Sequence, residues 1–201
     1  NRYISYPNSC RPLSSADLDM YRSLLKDIEP KDLICKNLWL FESMYVRLPQ
    51  KRTEDFNYEQ EHRELLNVRS ELVQKIIETQ GVDSVWGMVD MVKCPESVAE
   101  CVVDVLKDDL YETICRKYKS KQVCENFAQT YFRILSYKEP DVYQKLARQT
   151  VKNDADMVIV LYAPCYNRNM ASIAYDFGGK IKEQYWKFVD VRFLEIEDSA
   201  N

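Results

Sequence analysis

The chain is 201 residues long, 46% hydrophobic and 30% charged, with 28 basic against 32 acidic side chains and a net charge of −4. That balance excludes a disordered or fibrous polymer and predicts a folded chain with a sizeable core, in a single domain by length. Four glycines and one histidine, His62, are the unusual counts; few positions can take positive φ cheaply, which moves the expectation away from sandwiches and barrels toward an all-α fold.

The opening residues, Asn1 to Pro7, lack an initiating methionine and a charged-then-apolar leader, so the chain is read as a segment of a larger protein. Ser14-Ser15-Ala16-Asp17 then reads as a helix cap with a carboxylate three residues on. Leu18, Tyr21, Leu24, Leu25 and Ile28 follow at helical spacing, and Pro30 closes the helix. A second apolar segment runs from Leu33 through Trp39 and Phe41 to about Met44, ending before Leu48-Pro49. Residues 50–57 read as a charged loop. The longest helix is expected over Tyr58 to Gln80, with Leu65, Arg69, Leu72, Val73, Ile76 and Ile77 on one stripe and Gly81 as its stop.

A short helix follows over Val82 to Val92. Pro95 takes a first helical position ahead of Val98, Cys101, Val102, Val105 and Leu106. Asp108-Asp109 opens a helix over Leu110 to Tyr118, and Ser120 is expected to cap another from Lys121 to about Ser136. Pro140 begins the next, with Val142, Leu146 and Val151. Asp154 is read as a further cap, which makes the apolar run Met157 to Tyr162 helical rather than a lone strand. Helices over Asn167 to Phe177 and Lys180 to Val189 flank Gly178-Gly179, and Val189 to Phe193 alternates as an extended stretch. The expectation is about nine or ten helices in stacked antiparallel pairs, an α-solenoid-like right-handed or irregular superhelix. Residues 1–80 would form the N-terminal helices and 81–201 the repeat-like pairs. No apolar run approaches the roughly 20 residues that cross a bilayer, so no membrane partner is expected.

Chemistry-bearing patterns are sparse. Seven cysteines, Cys10, Cys35, Cys94, Cys101, Cys115, Cys124 and Cys165, sit in apolar contexts with no Cys-x-x-Cys, which reads as buried thiols in a reducing cytoplasm rather than a zinc site. The carboxylates Asp17, Glu96, Asp108, Asp109 and Asp154 stand where caps need them. His62 lies between Glu61 and Arg63, a surface setting, and no phosphate-cradling glycine motif exists; Gly178-Gly179-Lys180 reads as a turn. No catalytic set, metal site or cofactor is therefore expected. The run Arg116-Lys117-Tyr118-Lys119-Ser120-Lys121 is the candidate contact for an anionic partner through Arg116, Lys117, Lys119 and Lys121, although cations also suit a helix end. Fourteen tyrosines, among them Tyr3, Tyr6, Tyr45, Tyr58, Tyr137, Tyr143, Tyr166, Tyr175 and Tyr185, supply material for packing against partners or flanking domains.

Three stretches carry a resemblance. Ile28-Glu29-Pro30-Lys31-Asp32 with Trp39-Leu40-Phe41-Glu42, then Cys94-Pro95-Glu96-Ser97-Val98-Ala99, then Lys182-Glu183-Gln184-Tyr185-Trp186-Lys187-Phe188-Val189 resemble, in this order, a helical-repeat region of very large bacterial multidomain proteins. The resemblance covers nearly the whole chain, and its motifs concern packing, so it carries over no active-site residue. Some such proteins look like sensor or antiviral-defence proteins in which an enzymatic module precedes a helical recognition array. The expected function is a non-catalytic scaffold or recognition module that contacts proteins or flanking domains. A nucleic-acid-binding helical module and an enzyme with an unrecognised site are the alternatives.

Overall fold

The structure, a computed structural model, describes residues 14–48, 57–151 and 168–188. Within them the chain is all-α, ten α-helices and one 3₁₀ turn with no strand. They belong to two compact units, Asn1–Cys94 and Pro95–Asn201. No described helix is long and apolar enough to cross a membrane. The Asp154 cap, the run Met157 to Tyr162 and the alternation from Val189 to Phe193 lie outside the described residues.

In the first unit α1 spans Ser15–Ile28 and begins in a reciprocal capping box. The Ser14 hydroxyl oxygen accepts from the Asp17 N–H at 3.1 Å while the Asp17 carboxylate accepts from the Ser14 N–H at 3.3 Å. α2, Leu33–Asn37, is capped by Asp32, whose carboxylate accepts the Cys35 N–H at 2.8 Å. The apolar segment read from Leu33 to about Met44 is not one continuous helix. The chain tightens instead into a 3₁₀ turn over Leu38–Phe41 and then bends.

The cause is Arg69, on α3 (Tyr58–Gln80), which is 1% exposed. Its Nε and Nη2 donate to the Leu40 carbonyl at 2.8 and 2.6 Å, Nη2 donates to that of Ser43 at 2.7 Å, and Nη1 to that of Met44 at 3.2 Å. The guanidinium carbon also stands 5.4 Å from the centre of the Phe41 ring. Carbonyls drawn toward a side chain are turned away from helical N–H groups, so the segment folds around the guanidinium. Leu65, Val73 and Ile76 line the same stripe of α3 as Arg69 and are buried. Gly81, at φ 84°, ends the helix with its N–H on the Ile77 carbonyl. α4, Ser84–Met91, packs against α3 and buries Val85, Met88 and Val89. The Cys94 N–H then bonds back to the Phe41 carbonyl at 3.0 Å.

The second unit contains α5 (Pro95–Leu106), α6 (Tyr111–Lys119), α7 (Glu125–Lys138), α8 (Pro140–Thr150), α9 (Arg168–Phe177) and α10 (Gly179–Phe188). α5 and α7 form its centre. Val98, Ala99, Cys101 and Val102 on α5, and Phe127, Ala128, Tyr131 and Leu135 on α7, are wholly buried. The small residues allow the two helices to approach closely. An Asp104–Lys138 ion pair and a 2.6 Å bond from the Asn126 amide to Glu96 fix α7 along α5. α6 and α8 pack on α7, α9 packs on α8, and α10 packs on α9.

An aromatic layer fills the space between α6, α7 and α8. Tyr111 meets Phe132 edge to face at 5.4 Å and Tyr143 at 6.0 Å, and Tyr131 meets Phe132 at 5.7 Å. Burial pushes the phenols of Tyr111, Tyr131 and Tyr143 above the ordinary tyrosine range.

The start of α7 corrects the sequence reading. Ser120 does not cap a helix that begins at Lys121. Its hydroxyl donates backward to the Arg116 and Lys117 carbonyls, and Lys121 sits at φ 54°. The Lys121 N–H bonds to Tyr118 O at 3.0 Å and the Gln122 N–H to Lys117 O at 2.8 Å, the paired bonds of a Schellman ending. α7 begins four residues after Lys121, at Glu125.

Three outcomes follow from this packing. Arg69→Met keeps most of the side-chain volume but leaves buried carbonyls without donors, and a urea titration should show a loss of about 3 kcal/mol or more; a loss below about 1 kcal/mol would contradict the assigned role. Lys121→Gly removes the strain of a left-handed non-glycine residue and should stabilise the second unit by about 0.5–1 kcal/mol. The phenols titrate higher folded than unfolded, so their contribution is intact below the unfolded value of about 10 and is lost as pH rises above it. Helical circular dichroism should therefore collapse in that alkaline range, and Tyr143→Phe should move the collapse to higher pH.

Candidate functional site

Two places on the described surface have unusual composition. The first is α1, which buries no residue. Leu18, Tyr21, Leu25 and Ile28 follow the 3-4-3 spacing of a helix-pairing seam, with Leu24 beside it. Tyr21 is 50%, Leu24 51%, Leu25 61% and Ile28 74% exposed. Helical periodicity thus forms the stripe that the sequence predicts, and among the described residues it is exposed from Tyr21 onward, with Leu18 half-buried at its start. Charges beside the stripe are neutralised locally, Asp19 by Arg22 at 3.0 Å and Glu29 by Lys36 at 2.8 Å. Such exposed pairs add little stability.

The second place is the last two turns of α6. The four predicted cations are not brought to one surface. Arg116 and Lys119 share a face with Glu112, because residues three and four apart stack on a helix. Together with Cys115, Ser120 and Thr150 they line an open hollow of about 520 Å³. Lys117 is half-buried and lies about 100° round the helix from Arg116. Lys121 stands beyond the helix end in its left-handed turn. The carboxylate of Glu112 and the negative end of the helix also oppose part of the positive charge. A continuous basic track for a polyanion is therefore not what this face presents.

The remaining reactive groups are individually quiet. His62 is half-buried with its ring 5.9 Å from Tyr45, and its Nδ1 makes no hydrogen bond among the described residues. Its surface setting in the sequence gave no sign of Tyr45, which arrives from the segment before α3. The exposed Cys35 thiol is raised above its ordinary value by the Asp32 carboxylate it faces, so it is held as the weakly nucleophilic thiol. Asp32 itself is lowered, chiefly by the Cys35 backbone N–H. Cys94, Cys101 and Cys115 are buried and Cys124 is half-buried, whereas Cys10 and Cys165 lie outside the described residues. No group of three or more potential ligands for a metal ion occurs among the described residues. Gly178, at φ 62°, forms the turn between α9 and α10, and Gly179, at φ 49°, opens α10.

The tyrosines divide. Tyr143 and Tyr185 are wholly buried, while Tyr45, Tyr58, Tyr137 and Tyr175 are exposed; Tyr3, Tyr6 and Tyr166 lie outside the described residues. Sequence reasoning missed Glu112, Cys115 and Thr150 as neighbours of the α6 cations. The spacing of Glu112, Arg116 and Lys119 was a readable signal for one shared face, but nothing local brings Thr150 to them. No protein-family model, curated protein or solved structure matches the chain.

Proposed function

We propose that this chain is a non-catalytic helical recognition or scaffold module, and that α1 is the element through which it engages a helix of a protein partner or of a flanking domain. The observation that carries this reading is the apolar stripe of α1, exposed from Tyr21 to Ile28 among the described residues and spaced for pairing with another helix. A helix of fourteen residues is marginal alone in water, so a stripe of this kind is stabilised by what it packs against. The likeness to helical-repeat regions of large bacterial multidomain proteins supports the same reading, with a cytoplasmic setting and a place beside an enzymatic or sensor module. Nucleic-acid binding through Arg116, Lys117, Lys119 and Lys121 is the weaker reading, because only Arg116 and Lys119 share a helix face, and Glu112 stands on it with them.

A photo-crosslinking residue placed at Leu25 or Ile28 of the full chain, in cells that make it, should give a discrete protein adduct, whereas the same residue at Ser23 should give none. Leu25→Glu combined with Leu24→Glu should abolish the Ile28 adduct while changing the unfolding free energy by less than about 0.5 kcal/mol, as expected for exposed positions. Equal labelling from both faces, or an adduct that survives the glutamates, overturns the proposal.

A further inference from the structure

The apolar surface of α1 is wider than the pairing seam it contains. At about 100° per residue, Leu18, Tyr21, Leu25 and Ile28 span about 80° of the helix circumference. Leu24 extends the surface by about 40°, and Met20, 52% exposed, by about 40° more on the same side, which makes an apolar arc of about 160°. Asp17 interrupts that arc in the first turn, where its carboxylate is taken up by the capping box with Ser14. One facing helix covers a narrow seam, whereas an arc well above about 100° is the width of a face buried against more than one neighbour.

The charges at the two edges of the arc differ in sign. Arg22 and Lys26, one turn apart, follow the edge that Leu18 and Leu25 form, and Asp27 stands beyond Met20 and Leu24 on the other. The carboxylates nearest Lys26 are engaged elsewhere, Asp19 with Arg22 at 3.0 Å and Glu29 with Lys36 at 2.8 Å. Lys26 and Asp27 themselves have no ion-pair partner among the described residues. A bilayer surface favours a polar face rich in Lys and Arg, but α1 carries three carboxylates, Asp17, Asp19 and Asp27, against two bases, Arg22 and Lys26. A second copy of α1 is a single helix, too narrow for the arc.

We infer, resting on the assignment of α1 as the docking helix, that α1 lies in an apolar groove between two helices of its protein partner, with a carboxylate on the rim beside Lys26 and a lysine or arginine on the rim beside Asp27. Opposite charges on the two rims fix the direction in which α1 lies, since reversing the helix in the groove brings each edge to the wrong rim. The seam residues meet the floor of the groove and one wall, and Leu24 and Met20 meet the other.

The test uses the full chain in cells that make it, with a photo-crosslinking residue at Met20 or at Leu25, on opposite edges of the arc, and sequencing of the joined peptides. Both positions should label one protein or one flanking domain, at two segments that do not overlap. Zero-length carbodiimide coupling should join Lys26 to an Asp or Glu of the segment labelled from Leu25, and Lys26→Arg should abolish that coupling while keeping the Leu25 adduct. Lys26→Glu and Asp27→Lys should each lower the Leu25 adduct about fivefold or more, whereas Ser23→Lys, on the opposite face, should leave it unchanged. Labelling from Leu25 with none from Met20, or from both to the same segment, overturns the groove while leaving α1 as a docking helix against a single helix. Adducts between two copies of α1, adducts with lipid alone, or an unchanged yield in Lys26→Glu overturn it as well. No adduct from Leu25 at all removes both the docking role of α1 and the groove.

Discussion

A side chain from one helix takes the carbonyls at the end of another, and both units are organised around that arrangement. In the first unit the Arg69 guanidinium gathers the Leu40, Ser43 and Met44 carbonyls at a bend where the chain can no longer bond to itself. In the second the Tyr131 hydroxyl donates to the Lys107 carbonyl at 2.5 Å, just past the end of α5. Short helices leave a large share of their carbonyls without intrahelical donors, and burying those ends is tolerable only when something donates to them. Arg69 and Tyr131 do so from wholly buried positions on the core faces of α3 and α7, so packing and backbone satisfaction are one event in each unit.

That coupling explains which elements were legible in the sequence. α3 occupies Tyr58–Gln80 as predicted, because Gly81 and the apolar stripe before it are local signals. Pro95 and Pro140 open α5 and α8 for the same reason, with proline's fixed φ serving a position that needs no N–H. The turn at Leu38–Phe41 was not legible, since its carbonyl partner lies 29 residues away from Leu40. Ser120 was misread because a serine near a helix boundary can serve the helix behind it as well as the one ahead, and composition does not decide between them.

The sites show the same limit in another form. Periodicity identified which residues of α1 share a face, but a stripe looks alike in sequence whether it is covered or bare. The cationic run on α6 looked continuous because adjacency in sequence was read as adjacency in space. On a helix the neighbours of Arg116 are Glu112 and Lys119, not Lys117, and the run splits accordingly. Thr150 joins them only through the packing of α6 and α8 on α7, which no local pattern encodes.

The scarcity of glycine has a more specific physical meaning than a preference for helices. Among the described residues the left-handed turns after α5 and α6 are taken by Lys107 and Lys121, at φ 48° and 54°, where other helices use glycine. Each lysine accepts a steric cost of about 1–2 kcal/mol relative to an unstrained residue. At both places the ending is tied down: Tyr131 holds the Lys107 carbonyl, and the Ser120, Lys121 and Gln122 donors hold the last carbonyls of α6. Few glycines therefore do not mean few left-handed turns. They mean that the turns were placed where neighbouring hydrogen bonds could hold a strained residue, and one of those strained endings borders the hollow lined by Arg116, Lys119 and Ser120.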